Sequence, residues 1–250
     1  MIHLKSESEI ELMKEGGIIL KKVVWDLLPK IKVGATTIEI DETAEKLIYK
    51  YGGSPSFKEV KGYLWTTCQP INEQVVHTPP SGRKLKLGDV YTLDIGIYYK
   101  GFHTDYADTF IIGKAKDKNA ENFLIIGRKA LTKAIAKVKT GNHIGDVSKA
   151  IQDEIEGKGN FILRELTGHG IGKDLHEDPY VFGFLDRPVD KTPLIKSGLV
   201  IAVEVIYSTG TKEIAYEKSN DWSIVTADLS LSACFEKTIA VWGRKSMILT

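Results

Sequence analysis

A chain of 250 residues can build one large domain or two small ones, and 42% hydrophobic with 27% charged residues is an ordinary globular composition. Its 34 basic and 33 acidic residues leave a formal charge of +1, so no global field draws it toward nucleic acid or an anionic membrane. The opening Met1-Ile2-His3-Leu4-Lys5-Ser6-Glu7 lacks the apolar core of a secretory signal, and runs such as Leu199 to Tyr207 are too short to span a membrane. Cys68 and Cys234 make neither a disulfide framework nor a CxxC pair, so a soluble, cytoplasmic protein is expected.

Apolar residues at Ile10, Met13, Leu20, Val24 and Leu27 recur at helical spacing and predict an amphipathic helix from about Glu7 to Leu28, stopped by Pro29. Ala44, Leu47, Ile48 and Tyr51 predict a second helix over Asp41 to Tyr51, ended at Gly52-Gly53. From Phe57 to Gly113 the pattern changes to short runs rich in Val, Ile, Tyr and Thr, which predict sheet. Helical patterns return over Asn119 to Val138 and Ile144 to Ile155, and strand-like runs follow to the end.

This succession is a repeat. Lys30-Ile31-Lys32-Val33-Gly34 is answered 107 residues later by Lys137-Val138-Lys139-Thr140-Gly141. Gly88 precedes Asp94 by six residues as Gly198 precedes Glu204, at an offset of 110. Two α+β halves, about 1–113 and 114–250, related by a pseudo-twofold and sharing a sheet in a single domain 1–250, are therefore expected. A carboxylate at the same place in a central strand of each half would then converge on its counterpart.

An ionised acid does not belong in a strand as apolar as Val90 to Ile97 unless it is paired or faces solvent. A two-residue turn at Lys100-Gly101 would pair Tyr99 with Phe102 and Asp94 with Ala107, leaving Asp105 diagonally across from Asp94. Two acids so close call for a cation, either a metal ion or a Lys or Arg partner. Glu204 and Glu236 repeat the problem inside Leu199 to Ile206 and Cys234 to Ile239, and Thr167-Gly168-His169-Gly170-Ile171-Gly172 offers an imidazole among glycines. Four carboxylates and one histidine exceed the needs of one ion and suit a pair of manganese, iron, cobalt or zinc ions.

With these residues in order the chain resembles the type I methionine aminopeptidases of the pita-bread fold. The opening Leu4-Lys5-Ser6 to Met13 helix, the Cys68 to Asn72-Glu73 to His77 segment and the eleven-residue spacing of Asp94 and Asp105 carry the resemblance. So do Gly168-His169-Gly170-Ile171-Gly172 with His176-Glu177-Asp178-Pro179, and Phe235-Glu236-Lys237-Thr238. The resemblance implies a dinuclear site of Asp94, Asp105, His169, Glu204 and Glu236, with Asp105 and Glu236 bridging Co²⁺, Mn²⁺, Fe²⁺ or Zn²⁺. It implies an activated water as nucleophile, Glu204 as proton shuttle, His176 as stabiliser of the tetrahedral intermediate and His77 as contact to the peptide beyond the cleaved bond. The expected substrate is the N-terminal methionine of nascent polypeptides. The expected protein is a monomer that meets the ribosome transiently and binds neither nucleic acid nor membrane.

The pocket for the first side chain departs from the family pattern more than the ligands do. Tyr63, Cys68 and Trp222 stand where the family lines it, but Val60 replaces a usual aromatic, Leu175 replaces the common Phe, and Phe57 is bulkier than the usual small residue. Val205 replaces a proline after Glu204, Cys234 an amide near Glu236, and Pro70 and Thr78-Pro79-Pro80 also depart. A metalloaminopeptidase with another N-terminal preference is the alternative, and a non-catalytic binding protein on the same scaffold a second one.

Overall fold

Each half of the chain opens with a pair of helices whose starts are written in short-range hydrogen bonds. In the computed structural model, which describes residues 1–218 and 220–250, helix α1 (Glu7–Leu27) begins at a capping box. The Ser6 hydroxyl accepts the Glu9 amide and the Glu9 carboxylate accepts the Ser6 amide. Pro29 ends it by turning Leu28–Lys30 into a short 3-10 segment. Helix α2 (Thr37–Lys50) starts four residues before the apolar stripe would place it, because Thr36 and Glu39 form a second capping box. Asp41 is therefore buried inside the helix, where its Oδ1 accepts from the Thr66 amide at 3.0 Å, the Thr67 amide at 2.8 Å and the Thr67 hydroxyl at 2.7 Å.

Those bonds pin α2 to a short strand. The first half contains β1 (Ser54–Pro55), β2 (Thr67–Cys68), β3 (Gln74–Val76), β4 (Val90–Tyr99) and β5 (Phe102–Ile111). Lys100 and Gly101 have φ of 47° and 91°, the left-handed pair of a type I′ turn, whose twist matches that of the strands it joins. Tyr99 consequently faces Phe102 and Asp94 faces Ala107, as the turn predicts.

The second half runs α3 (Lys118–Ile135), α4 (Ile144–Ile155), β6 (Phe161–Ile162), β7 (Thr167–Gly170), β8 (Glu177–Phe182) and β9 (Val200–Ser208). It continues with β10 (Ile214–Tyr216), β11 (Ile224–Thr226), β12 (Ser232–Trp242) and β13 (Lys245–Ile248). All pairings in the main sheet are antiparallel, in the order β1-β4-β5-β12-β9-β7-β8, and a smaller sheet runs β10-β11-β3. The halves join where β5 meets β12. Helices α1 and α2 cover the first half around Leu93, Ile95 and Ile97, and α3 and α4 cover the second around Val203, Val205 and Phe235. The glycines of the sequence echo are matching turns: Gly34 and Gly141 have φ of 88° and 93°, Gly88 and Gly198 of 81° and 92°. This is the α+β architecture of two like halves that the repeat predicts. No helix among the described residues is long and apolar enough to cross a membrane.

Helix α3 approaches the sheet closely only because Gly127 has no side chain: a methyl there would overlap the Phe235 ring and the Tyr207 hydroxyl. Gly127→Ala gains about 1 kcal/mol of helix propensity but overpacks a core whose displacement costs about 1–3 kcal/mol. A net destabilisation of up to about 2 kcal/mol is expected, read as a lower urea midpoint with an unchanged slope. A raised midpoint would show that the helix shifts freely.

Candidate metal centre

The registers of five strands set the acids in line. Asp94 of β4 faces Ala107 of β5, Ala107 faces Glu236 of β12, and Glu236 faces Glu204 of β9. Cys68 of β2 extends the line beyond Asp94. Two residues along the strands lies a second row on the same face, since side chains alternate with period two. Asp105 sits there two positions before Ala107, and His169 of β7 faces Ala202, two positions before Glu204. Ala107 and Ala202 occupy the interior of the grid, so the longer acids reach over methyl groups.

The side-chain atoms meet. One ligand atom each from Asp105, His169 and Glu236 lie within 4.8 Å of one another, and His169 Nε2 is 3.4 Å from a Glu204 oxygen. His169 Nδ1 is 2.8 Å from the Gly170 carbonyl. A carbonyl only accepts, so Nδ1 carries the proton and the Nε2 lone pair faces the carboxylates, the orientation a metal-binding imidazole needs. The Asp105 amide donates to the Thr238 hydroxyl and that hydroxyl donates to the Asp105 carbonyl, both at 2.9 Å, while the Tyr106 amide donates to the Asp105 carboxylate at 2.9 Å. The backbone of this ligand position is thereby clamped to the neighbouring strand.

Electrostatically the metal-free cluster is frustrated. Burial raises the Asp94 carboxyl well above its usual range, with the charges of Asp105 and Glu204 adding to it. Burial likewise lifts Asp105 to about 7 and pushes Glu204 and Glu236 well above the ordinary glutamate value, the Asp105 charge contributing to both. His169 falls to about 3 through burial and the neighbouring His176. Lys237 pulls the Glu236 value down only weakly from where it lies, over the Tyr106 ring at 3.9 Å. Glu236 Oε1 is buried without a hydrogen-bond partner. An orphaned carboxylate oxygen among three further carboxylates and an aimed imidazole lone pair fits a hard divalent cation, and the donor set of oxygens with one nitrogen is the one such ions take.

One cavity of about 440 Å³ contains all the residues that the sequence marks: Asp94, Asp105, His169, Glu204, Glu236, His77, His176, Tyr63, Cys68, Leu175 and Trp222. Part of its wall is apolar and aromatic. The Tyr63 ring meets Trp222 edge-on at 5.1 Å, and its hydroxyl donates to the Thr67 carbonyl at 2.8 Å, 3.1 Å from Cys68 Sγ. Phe57, Val60 and Leu175, the three pocket positions that depart from the family-like pattern, all line this cavity. His176 meets the His169 ring edge-on at 4.5 Å, and His77 ends β3 in a left-handed backbone with φ of 56°. A non-glycine residue held there costs about 1–3 kcal/mol and marks a position the surroundings over-determine. Burial keeps both His77 and His176 below the usual histidine value, so each is neutral at pH 7 with one N–H to donate. Val76, Thr167, Tyr180 and Ile206 also line the cavity and were not read as site residues from the sequence. Only Ile206 carries a signal, two residues beyond Glu204 on the same face of β9.

A sheet-borne grid of carboxylates with one histidine, under two repeated α+β halves, defines a metallohydrolase. Residues 11–241 match metallopeptidase family M24. The chain is 38% identical to the methionine aminopeptidase of Clostridium perfringens over 100% of its own length and 99% of that protein. It is 36% identical to methionine aminopeptidase 1 of Bacillus subtilis over 100% and 99% of the two lengths. It is similar to the crystal structure of the Thermotoga maritima methionine aminopeptidase with a TM-score of 0.95 and 33% identity, covering 100% and 99% of the two chains. The chain belongs to metallopeptidase family M24, with its pita-bread fold and divalent-metal requirement, and is a metalloaminopeptidase.

The raised carboxyls make the metal-free protein pH-sensitive. A carboxyl whose folded pKa exceeds its unfolded value near 4 holds its proton more tightly when folded. Stability is then greatest below the unfolded value and falls as pH rises through the folded one, about 7 for Asp105. Chelator-treated protein is expected to show a lower urea midpoint at pH 8 than at pH 5, and a divalent ion to raise it more at pH 8. Equal midpoints without metal would contradict the frustration described.

Proposed function

We propose that the chain removes the N-terminal methionine of nascent polypeptides and peptides, using two divalent ions held by Asp94, Asp105, His169, Glu204 and Glu236. The observation that carries this reading is the abutment of the carboxylate grid on an aromatic pocket in one cavity, in a family member whose full-length relatives are named methionine aminopeptidases. Asp105 and Glu236 would be the ligands shared between the ions, since Glu236 stands between Ala107 and Glu204 in the first row, Asp105 lies diagonally across from it, and one atom of each comes within 4.8 Å of the other.

Bound ions would lower the pKa of a water to the neutral range and polarise the scissile carbonyl. Everything else falls to the protein. Glu204 takes a proton from the attacking water and returns it to the leaving amine. The neutral His176 donates its N–H to the oxygen on which charge develops, and His77 holds the peptide group beyond the scissile bond. Tyr63, Cys68, Leu175 and Trp222, with Phe57 and Val60, enclose the first side chain, where an unbranched thioether follows an irregular apolar wall more readily than a branched chain does. We place the reaction in the cytoplasm, on a monomer with one catalytic domain over 1–250 and halves meeting near 113, the ribosome being a transient source of substrate.

A second reading keeps the chemistry and changes the preferred residue, because Phe57, Val60 and Leu175 all alter the pocket. Metal-stripped protein given Co²⁺, Mn²⁺, Fe²⁺ or Zn²⁺ in turn should hydrolyse Met-Ala-Ser faster than any other Xaa-Ala-Ser peptide. Val60→Tyr should leave the metal content unchanged while shifting kcat/KM between Met and other residues by about tenfold, as a change of pocket volume does. Highest turnover on another residue would transfer the assignment to the second reading; silence with every metal would remove the catalytic one.

A further inference from the structure

The Leu4-Lys5-Ser6 segment belongs to the family-like pattern, yet none of its residues enters the chemistry above. Ser6 caps α1, and the Lys5 amide donates to the Gly198 carbonyl at 2.7 Å, so the Lys5 backbone is held at both ends. Its side chain runs across Gly172, where a methyl would stand 2.8 Å from Nζ, and ends 2.5 Å from the Glu177 carboxylate. Nζ also donates to the His3 carbonyl at 3.1 Å. The side chains are 5% and 9% exposed, a buried ion pair on the outer side of the turn that leads into β8.

Glu177 directly follows His176. Its second oxygen accepts the Asp174 amide at 3.3 Å, the Gly172 amide donates to the Asp174 carbonyl at 3.1 Å, and the Gly172 carbonyl accepts the His103 amide at 2.7 Å. The turn of residues 172–177 is thus tied to β5 at one end and to Lys5 at the other, with Leu175 and His176 facing the cavity between the ties. Buried ion pairs are poor sources of stability, since desolvation offsets most of their attraction, and their better-attested use is to select one conformation.

We propose that the Lys5–Glu177 pair is a positioning device that fixes His176 over the reacting carbonyl. It rests on the reading of His176 as donor to the developing oxyanion. A misplacement of about 1 Å in such a donor costs up to about a hundredfold in rate. Lys5 touches neither substrate nor ligand, so its effect passes through His176.

The test is a double-mutant cycle on metal-loaded enzyme with Met-Ala-Ser, using Lys5→Met, His176→Ala and the pair, with kcat, KM and bound metal measured for each. Lys5→Met is expected to lower kcat by about tenfold or more with KM and metal content near wild type, yet by less than about twofold in the His176→Ala background. Equal losses in both backgrounds would mean a general structural role and overturn the proposal, as would wild-type kcat in Lys5→Met. Wild-type kcat in His176→Ala would remove the His176 reading itself, and the positioning role with it. Should Lys5→Met fail to fold, Glu177→Gln, which keeps an acceptor for the Asp174 amide, carries the same cycle.

Discussion

Four carboxylates on one face of one sheet repel one another, and most of what is particular to this chain follows from the need to hold them together. Asp105 and Glu236 are 4% and 3% exposed, so solvent screens little of that repulsion. Protons answer it in the metal-free protein: burial drives all four carboxyls upward, and neighbouring carboxylate charge adds to it at Asp94, Glu204 and Glu236. A divalent ion answers it better and leaves every carboxylate ionised. The scaffold must therefore be rigid enough to keep an unfavourable arrangement in place. The join of the two half-sheets at β5 and β12, with the helix pairs packed behind, supplies that rigidity.

The same constraint explains the division of labour along the cavity. Of the residues proposed to hold metal, the four acids sit in the interiors of long strands, where hydrogen-bonded neighbours fix their directions, and His169 sits in the short β7 between β8 and β9. Residues read as handling substrate sit at strand ends and turns: His77 after β3, Leu175 and His176 before β8, Trp222 before β11. At such places a side chain can change without moving one of the strand-borne acids. The Lys5–Glu177 pair is a means of lending strand-like definition to one of those turns.

How much of this was legible in the sequence depended on the range of the interaction involved. The hairpin of Asp94 and Asp105 could be registered because a two-residue turn is local and fixes every pair along both strands. Glu204 and Glu236 stood out as acids in apolar runs, but their direct opposition rests on the pairing of β9 with β12 across an intervening hairpin, which no local pattern reveals. The four-residue error at the start of α2 came from following the apolar stripe past Thr36 and Glu39, whose capping box sets the boundary. Asp41, hidden inside that helix, gave no sign that it anchors the strand bearing Cys68. Val76, Thr167 and Tyr180 border the cavity through tertiary placement alone.

The alternation that aligns the ligands has a corollary for how the chain reaches its native state. Apolar neighbours of three of the acids, Leu93 and Ile95 around Asp94, Val203 and Val205 around Glu204, and Phe235 beside Glu236, belong to the helix-covered cores. A slip of one residue in any of these strands would exchange the two sets, thrusting a carboxylate among aliphatic side chains and a large apolar group into the cavity. Misregistered chains are thus penalised twice, so a molecule that has folded with its strands correctly threaded has, by the same event, brought its four acids together. Proofreading of the sheet and assembly of the acidic cluster are one process in this protein.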